Sequence, residues 1–442
     1  MTTLTPKGFR IELVDPRAKI LEKELKVRPF NPNTEYSKEY KLFRKSKNFL
    51  YSPKFYAIKK YGLPDDLLTH SYDIIDLPFR KQLRDYQSDV AMQVLSHLKS
   101  HKSGVCSLFT GWGKTCLALW ISSQLKVKTL IVVHTRTLLD QWVVKIKDFT
   151  GVDAGIIQQD IMLIDSPICV GMIHSLCIRD YPKEITEGFG LIVFDEVHHT
   201  PSEMFSSVFF KMCVDYSLGL SATLHRADGL SKVINWFLGD VIVDIKQTTE
   251  SPEIVFHKFY PSEPMKEDVM MNGKPNISAM LNTVAEHHER NKFIIDIVRQ
   301  LREESRTILI LCHRRNHVNY LHNYLPGSGK YLGGMSLEEL NATNKMDIII
   351  GTYNMASEGY DNPRLNTLVL ASPKSNVEQS VGRILREKTR CNPLVVDIQD
   401  YFSVFNGMNY KRKNFYKKKG YLGTKEEDFQ CVKIEDLEII DD

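Results

Sequence analysis

The sequence predicts an α/β fold: two tandem parallel-sheet domains preceded by a small basic N-terminal accessory domain. Three observations point there. Short apolar runs rich in Val, Ile and Leu alternate with helical patterns, and the series occurs twice. A stretch rich in Pro, Asn and charge separates the two series. Basic charge gathers ahead of the first run. At 442 residues, the chain is also too long for one ordinary core.

The accessory domain is expected over residues 1–78. Residues 1–62 hold 15 Lys or Arg against 6 Asp or Glu, a net of +9 in a chain whose total is +4. From Lys38 to Lys60 there are eight basic residues and one acid, Glu39, interleaved with Tyr40, Phe43, Phe49, Tyr51, Phe55 and Tyr56. Basic residues neutralise phosphates, and aromatics stack on bases for roughly 1–3 kcal/mol each. The other reading is a solvated basic surface whose aromatics face a small core. A second block, "YKRKNFYKKKGY" at 410–421, has six basic residues and no acid. Two such blocks in one chain favour nucleic acid as partner.

The first sheet domain is expected over 79–250. "GVCSLF", "TLIVVHT" (129–135), "PICVGMI" (167–173), "GLIVFDE" (190–196) and "SLGLSAT" (217–223) read as buried parallel strands joined by crossover helices. The second, over 251–425, repeats the series with "TILILCH" (307–313), "MDIIIGT" (346–352), "NTLVLAS" (366–372) and "NPLVVDI" (392–398). "YPSEPMKEDVMMNGKPNIS" (260–278) is a linker or a surface excursion. Residues 426–442 form an acidic, solvated tail.

Composition excludes several classes. With 43% apolar and 25% charged residues, the chain matches a soluble globular protein. No apolar run approaches the roughly 18 residues of a membrane span, and "MTTLTPKGFR" lacks a signal region. The expected location is therefore cytoplasmic (host-cell cytoplasm if phage-encoded), with no membrane partner. The eight cysteines never form a C-x-x-C pair, which argues for reduced thiols over a zinc or disulfide framework.

The chemistry gathers at strand ends, where ligands of open α/β sheets bind. "SLFTGWGKT" (107–115) sits between a strand and a helix and departs from G-x-x-x-x-G-K-[ST] by carrying Leu108 where the first glycine belongs. Gly111 and Gly113 permit the turn, Lys114 can reach β and γ phosphates, and Thr115 can ligate Mg²⁺. "LIVFDEVHH" ends a strand on Asp195 and Glu196, an acid to hold Mg²⁺ beside one to activate water. Surface or coupling roles suit His198 and His199 better than metal binding.

"DEVHH", "GLSATLHRADGL", "ASEGYDNPRLNTLVLASP" and "QSVGRILRE" resemble motifs II, III, V and VI of superfamily 2 helicases, in that family's order and spacing. The nearest likeness is to the XPB, RecG and phage UvsW branch and to related large-DNA-virus helicases. Coverage runs from about residue 79 to about 400. The resemblance implies two RecA-like domains and an ATP-dependent DNA helicase or translocase that unwinds or branch-migrates forks, Holliday junctions and D-loops. The alternative is a viral transcription or transcript-release helicase acting on DNA or RNA–DNA hybrids. A nucleic-acid-binding protein with a dead motor is a third reading, opposed by the intact Lys114, Asp195, Glu196 and Arg383.

By position, the resemblance implies further roles. Gln87 of "LRDYQ" would read adenine, with Arg84 beside it; Thr110, Gly111, Trp112, Gly113, Lys114 and Thr115 would form the phosphate loop, with Trp112 at its variable position. Asp195 and Thr115 would hold Mg²⁺, and Glu196 would activate water. Ser221, Ala222 and Thr223 would couple the nucleotide site to DNA. Thr135 and Arg136 in "HTRTLLDQW", His313 and Arg314 in "CHRRNH", and Thr352 would contact nucleic acid. Glu358, Gly359 and Asp361 resemble motif V, the last two as nucleotide contacts; Gln379, Arg383 and Arg386 would act catalytically from the lobe interface. Hydrolysis is then expected between the lobes, whose closure is the mechanical stroke. A monomer using ATP and Mg²⁺ is implied, with replication or recombination proteins as candidate partners. Departures from the family include Arg226, Ala227 and Asp228 where R-E-D is usual, and Met172 where motif Ib has threonine.

Overall fold

The computed structural model describes residues 1–29, 39–68, 72, 74–199, 202–222, 229–246, 251–357, 360, 362–385, 389 and 391–422. The chain divides into two compact units, Met1–Gln247 and Thr248–Asp442.

The first unit opens with a five-stranded sheet in the order Arg44–Lys45, Phe49–Ser52, Gly8–Glu12, Thr2–Thr5, Asp66–Leu67. Period-2 alternation turns Phe9 and Ile11 inward. The helix Pro16–Glu24 starts where Asp15 Oδ1 accepts the Arg17 N–H at 2.9 Å and Pro16 fixes the first turn. This sheet has no core of its own. Ile11, Leu21, Leu25, Leu42 and Leu50 belong to one apolar cluster with Phe205, Phe209, Phe210 and Phe237, and Tyr40, Phe43, Tyr51 and Tyr56 pack on it. The Tyr56 and Trp236 rings lie 4.7 Å apart, and the Tyr72 hydroxyl donates to the Cys213 carbonyl at 2.8 Å. Four of the six aromatics interleaved with the basic residues therefore serve packing, the second of their two readings. Full burial of a large apolar side chain is worth about 1.5–3 kcal/mol. The shared cluster therefore outweighs the repulsion among exposed lysines.

The larger sheet comprises β1 (Ser103–Leu108), β2 (Thr129–Val133), β3 (Gly155–Gln158), β4 (Ile161–Leu163), β5 (Ile168–Met172), β6 (Leu191–Phe194), β7 (Tyr216–Ser221) and β8 (Val241–Ile245). Their order is β4-β3-β5-β2-β6-β7-β1-β8, parallel except for the β3–β4 hairpin. Both faces are covered. Leu130 and Val132 of β2 enter the cluster shared with the N-terminal sheet, whereas Ile131 and Val133 enter a second cluster on the other face. β6 divides its residues likewise, with Ile192 and Phe194 on one side and Leu191 and Val193 on the other. Helices α1 (Asp85–His101), α2 (Lys114–Leu125) and α3 (Arg136–Thr150) supply much of the second cluster.

The second unit is an all-parallel sheet of β9 (Glu253–Phe259), β10 (Ile308–Cys312), β11 (Ser328–Tyr331), β12 (Ile348–Thr352), β13 (Thr367–Leu370) and β14 (Leu394–Asp400), in the order β9-β14-β13-β10-β12-β11. Residues 260–276 hold no helix or named strand, only a bridge between Val269 and Pro275, and follow β9 within this unit. They are an excursion from it, not the connection between units. The final described helix, α4 (Phe405–Lys418), packs by Phe405, Asn409, Arg412 and Tyr416. No helix among the described residues is long and apolar enough to cross a membrane.

Candidate nucleotide site

β1 ends on Leu108, which is fully buried among the side chains of the sheet. The missing glycine therefore falls in a strand rather than in the turn. The turn itself needs Gly111 and Gly113, at φ +92° and +104°. A Cβ at Gly113 would also lie 2.3 Å from Gln87 Nε2. α2 begins at Lys114, so the first backbone N–H groups of the helix have no partner within it.

Trp112 is buried in the apolar cluster, its ring edge-on to Tyr86 at 5.9 Å. Its backbone, not its indole, bonds in the loop: the carbonyl accepts Gln87 Nε2 at 2.8 Å and the N–H donates to the Phe109 carbonyl at 3.2 Å. At the other end of that amide, Gln87 Oε1 accepts the Arg84 N–H at 3.0 Å. Gln87 thus ties the start of α1 to the phosphate loop, and both ends of its amide are bonded within the protein. Arg84 is exposed, with Nη1 donating to the Tyr86 hydroxyl at 3.1 Å.

β6 delivers the acid pair, and β6 and β7 are neighbours in the sheet, as are β7 and β1. Asp195 is buried; Oδ2 accepts the Trp142 indole N–H at 2.8 Å and Oδ1 accepts the Glu196 N–H at 3.0 Å. Glu196 adopts φ +46°, a sparsely populated conformation for a non-glycine residue that turns the chain directly off the strand. Its Oε1 meets Lys114 Nζ at 3.0 Å, while Oε2 lies 3.4 Å from His198 Nδ1. The same ring nitrogen is 2.7 Å from Ser221 Oγ, at the end of β7. Lys114, Glu196, His198 and Ser221 therefore follow one another from the glycine loop across two strand ends, hydrogen-bonded at both ends and joined in the middle by the 3.4 Å approach of Glu196 to His198. His198 thus lies between Glu196 and Ser221. The role of Trp142 was missed, although it lies in the quoted "HTRTLLDQW"; spacing along a helix cannot show which strand end its indole reaches.

Burial, and then the neighbouring Glu196 carboxylate, push the Asp195 carboxyl up to about 6, against the opposing pull of Lys114 and the Trp142 hydrogen bond. Ionising Asp195 thus opposes folding. The cost is absent below the ordinary carboxyl range near ~4 and complete once pH passes the raised value. Asp195→Asn is accordingly expected to stabilise the nucleotide-free protein by about 1–3 kcal/mol at neutral pH. The gain should vanish as pH falls toward ~4. Thermal melts of both proteins across that range check it, and a gain independent of pH would refute the cause given.

Thr110, Thr115 and Ala222 are half-buried; Ala222 directly follows β7. Thr135 caps α3, its Oγ1 accepting the Leu138 N–H at 3.3 Å, and exposed Arg136 pairs with Asp140 and bonds Gln158. In the second unit, the His313 ring donates from Nε2 to the Pro373 carbonyl at 2.9 Å. Burial and then the Lys374 charge bring that ring down to about 4, so it is neutral at physiological pH. Arg314 bonds Asn282 Oδ1 and Ser278 Oγ at 2.6 and 2.7 Å. Thr352 closes β12, half-buried. Gln379 lies on the short helix Glu378–Val381, and buried Arg383 donates from Nη1 to the Tyr360 carbonyl at 2.7 Å. Thr223, Arg226, Ala227, Asp228, Glu358, Gly359, Asp361 and Arg386 lie outside the described residues.

Residues 80–226 match the family described as type III restriction enzyme, res subunit. A protein of Acanthamoeba polyphaga mimivirus, assigned by name to the ATP-dependent RNA helicases, is 34% identical over 95% of this chain and 86% of its own length. A protein of invertebrate iridescent virus 6, assigned by name to the helicases, is 29% identical over 80% of this chain and 85% of its own length. Another of African swine fever virus, named an RNA helicase, is 28% identical over 77% of this chain and 73% of its own length. Among solved structures, T4 UvsW aligns over 98% of both chains at 18% identity with a TM-score of 0.37.

Proposed function

We propose, from the premise that this chain belongs to the superfamily 2 helicases and is related to those of phages and large DNA viruses, that it moves DNA strands at forks, four-way junctions and D-loops. It is an ATP-dependent helicase, and so an enzyme. One observation carries the catalytic reading: Lys114 at the start of α2 meets Glu196, and Glu196, His198 and Ser221 lie together at neighbouring strand ends, with Asp195 beside them.

In this reading Lys114 and the loop glycines hold the phosphates, and Glu196 orients or deprotonates the attacking water. Asp195 and Thr115 offer the hard oxygen donors Mg²⁺ prefers, and a cation there would offset the burial and the Glu196 charge that together raise the Asp195 carboxyl. Bound Mg²⁺ would neutralise charge on the phosphate oxygens. Arg383 and Arg386 are assigned to charge stabilisation of the transferring phosphoryl group, a role worth about 10³–10⁵ in rate when an arginine fills it. The polar chain ending at Ser221 would report the state of the nucleotide to the DNA-binding loops.

A second reading, a transcription or transcript-release helicase, is favoured by the names of the mimivirus and African swine fever virus relatives. ATPase rates with RNA, single-stranded, duplex, forked and four-way DNA separate the two. The branched-DNA reading expects forks and junctions to stimulate several-fold more than single strands. Equal stimulation by every DNA would end it, and stimulation confined to RNA-containing substrates would establish the second.

A further inference from the structure

The structure sorts the residues of "YKRKNFYKKKGY", which the sequence alone treats as one basic block. Arg412 points into the second unit, fully buried, with Nε and Nη2 on Asp397 at 2.8 and 2.6 Å and Nη1 on the Lys374 carbonyl at 2.7 Å. Lys419 pairs with Glu378 at 2.5 Å. Neither is available to an outside ligand in this conformation. Tyr410, Lys411, Asn414, Lys417 and Lys418 are all exposed, and helical periodicity puts them on the arc of α4 opposite Phe405, Asn409, Arg412 and Tyr416. Among the described residues, no carboxylate lies within ion-pair distance of Lys411, Lys417 or Lys418. Tyr410, two-thirds exposed, adds an aromatic face to the stripe.

From this arrangement we infer that the outward arc of α4, through Lys411, Lys417 and Lys418, is a contact surface for the phosphate backbone of the nucleic acid on which the motor works. The inference rests on the helicase reading for its partner but not on branched-DNA preference. Lys411 and Lys418 are about 10 Å apart along the helix axis at 1.5 Å per residue. One DNA strand presents a phosphate about every 3.4 Å of duplex axis, so the stripe can span a few phosphates. An arc of three lysines with no paired acid among the described residues suits a sequence-independent backbone contact. The inner face explains how the arc stays oriented. Arg412 is locked to β14 by a buried bidentate pair, and Tyr416 donates to Asp397 Oδ2 at 3.0 Å. α4 therefore cannot rotate its lysines away without breaking both.

A purely structural role is also open to two of the lysines. Lys417 and Lys418 occupy the last turn, where cations complement the helix dipole. Lys411 does not, which lets one variant separate the two roles. The experiment measures binding of a labelled fork and a labelled plain duplex against salt concentration, using the full chain. Variants are the triple alanine variant at Lys411, Lys417 and Lys418, the single Lys411→Glu and the triple arginine variant. The alanine variant should flatten the slope of log K against log salt by about 2–3, near 0.9 per lost contact. Lys411→Glu alone should weaken binding several-fold, and the arginine variant should restore the wild-type slope. DNA-free ATPase and melting temperature should not change. An unchanged slope in the alanine variant overturns the inference, and so does a reduced slope that arginine fails to restore. A flattened slope on fork and duplex alike supports it even if forks give no preferred ATPase stimulation, so the two readings fail separately.

Discussion

Lys114→Ala is expected to lower ATP turnover by about a hundred- to a thousand-fold, the range seen when a donor aimed at developing charge is removed. Lys114 is half-buried at the first position of α2, with Nζ on Glu196 Oε1 at 3.0 Å. On the proposed reading, nucleotide phosphates draw the ammonium off Glu196 and free that carboxylate for water. Alanine removes both the phosphate contact and the charge that tempers the repulsion between Asp195 and Glu196. The chain should still fold, because Lys114 is absent from the apolar clusters that hold the sheet. Steady-state ATPase at saturating DNA, set beside DNA binding without nucleotide, tests this. Turnover should collapse while binding holds. A variant keeping more than about a tenth of wild-type turnover would remove Lys114 from the reaction, since the lost donor alone predicts a larger drop.

Asp397→Ala is expected to destabilise the second unit by about 3–5 kcal/mol, the typical cost of removing one partner of a buried ion pair. Asp397 has no exposed surface and accepts from Arg412 and from the Tyr416 hydroxyl. Without it, a fully buried guanidinium loses its counter-charge, and Tyr416 loses its acceptor. The Lys374 carbonyl, held by Arg412 Nη1, lies four residues before the helix Glu378–Val381. Loss of stability should therefore also loosen the segment that carries Gln379. For a unit of this size the melting temperature should fall by about 10 °C, at roughly 2–4 °C per kcal/mol. Changing both partners to apolar residues, as Asp397→Leu with Arg412→Met, should recover most of the loss, because no unpaired charge remains. Calorimetry reads both variants. Asp397→Ala within about 1 kcal/mol of wild type would mean the pair is not sealed from water, because exposed pairs are worth no more than that.

The central strands of the larger sheet could be read without tertiary information because both faces of the sheet are covered. A residue run such as "LIVFDE" admits little else when Ile192 and Phe194 must face one apolar cluster and Leu191 and Val193 another. The exposed strand β4 of the β3–β4 hairpin was not anticipated: the side chains of Ile161, Met162 and Leu163 face solvent, and so leave no alternating pattern. Among the site residues, Asp195, Glu196 and Ser221 stand at strand ends and Lys114 opens the helix that follows one. Trp142 was given no place in the site and His198 only a surface or coupling role, since their contacts with Asp195 and Ser221 join residues distant in sequence.

By itself, then, the sequence determined the two series of parallel strands, the glycines of the phosphate loop and the acids that follow a strand. These depend on local spacing and on backbone conformations that few residues can adopt. Only the tertiary structure decided which of two chemically alike residues is buried and which partner each one meets. It made Arg412 a structural cation and left Lys411 facing solvent; it turned Trp112 into the core and Trp142 onto Asp195. It also showed that the basic N-terminal sheet shares one apolar cluster with the rest of the first unit. The physical reason is the same in each case. Charge and aromaticity are properties of one residue, but burial and partnership are set by side chains that the chain brings together from far apart.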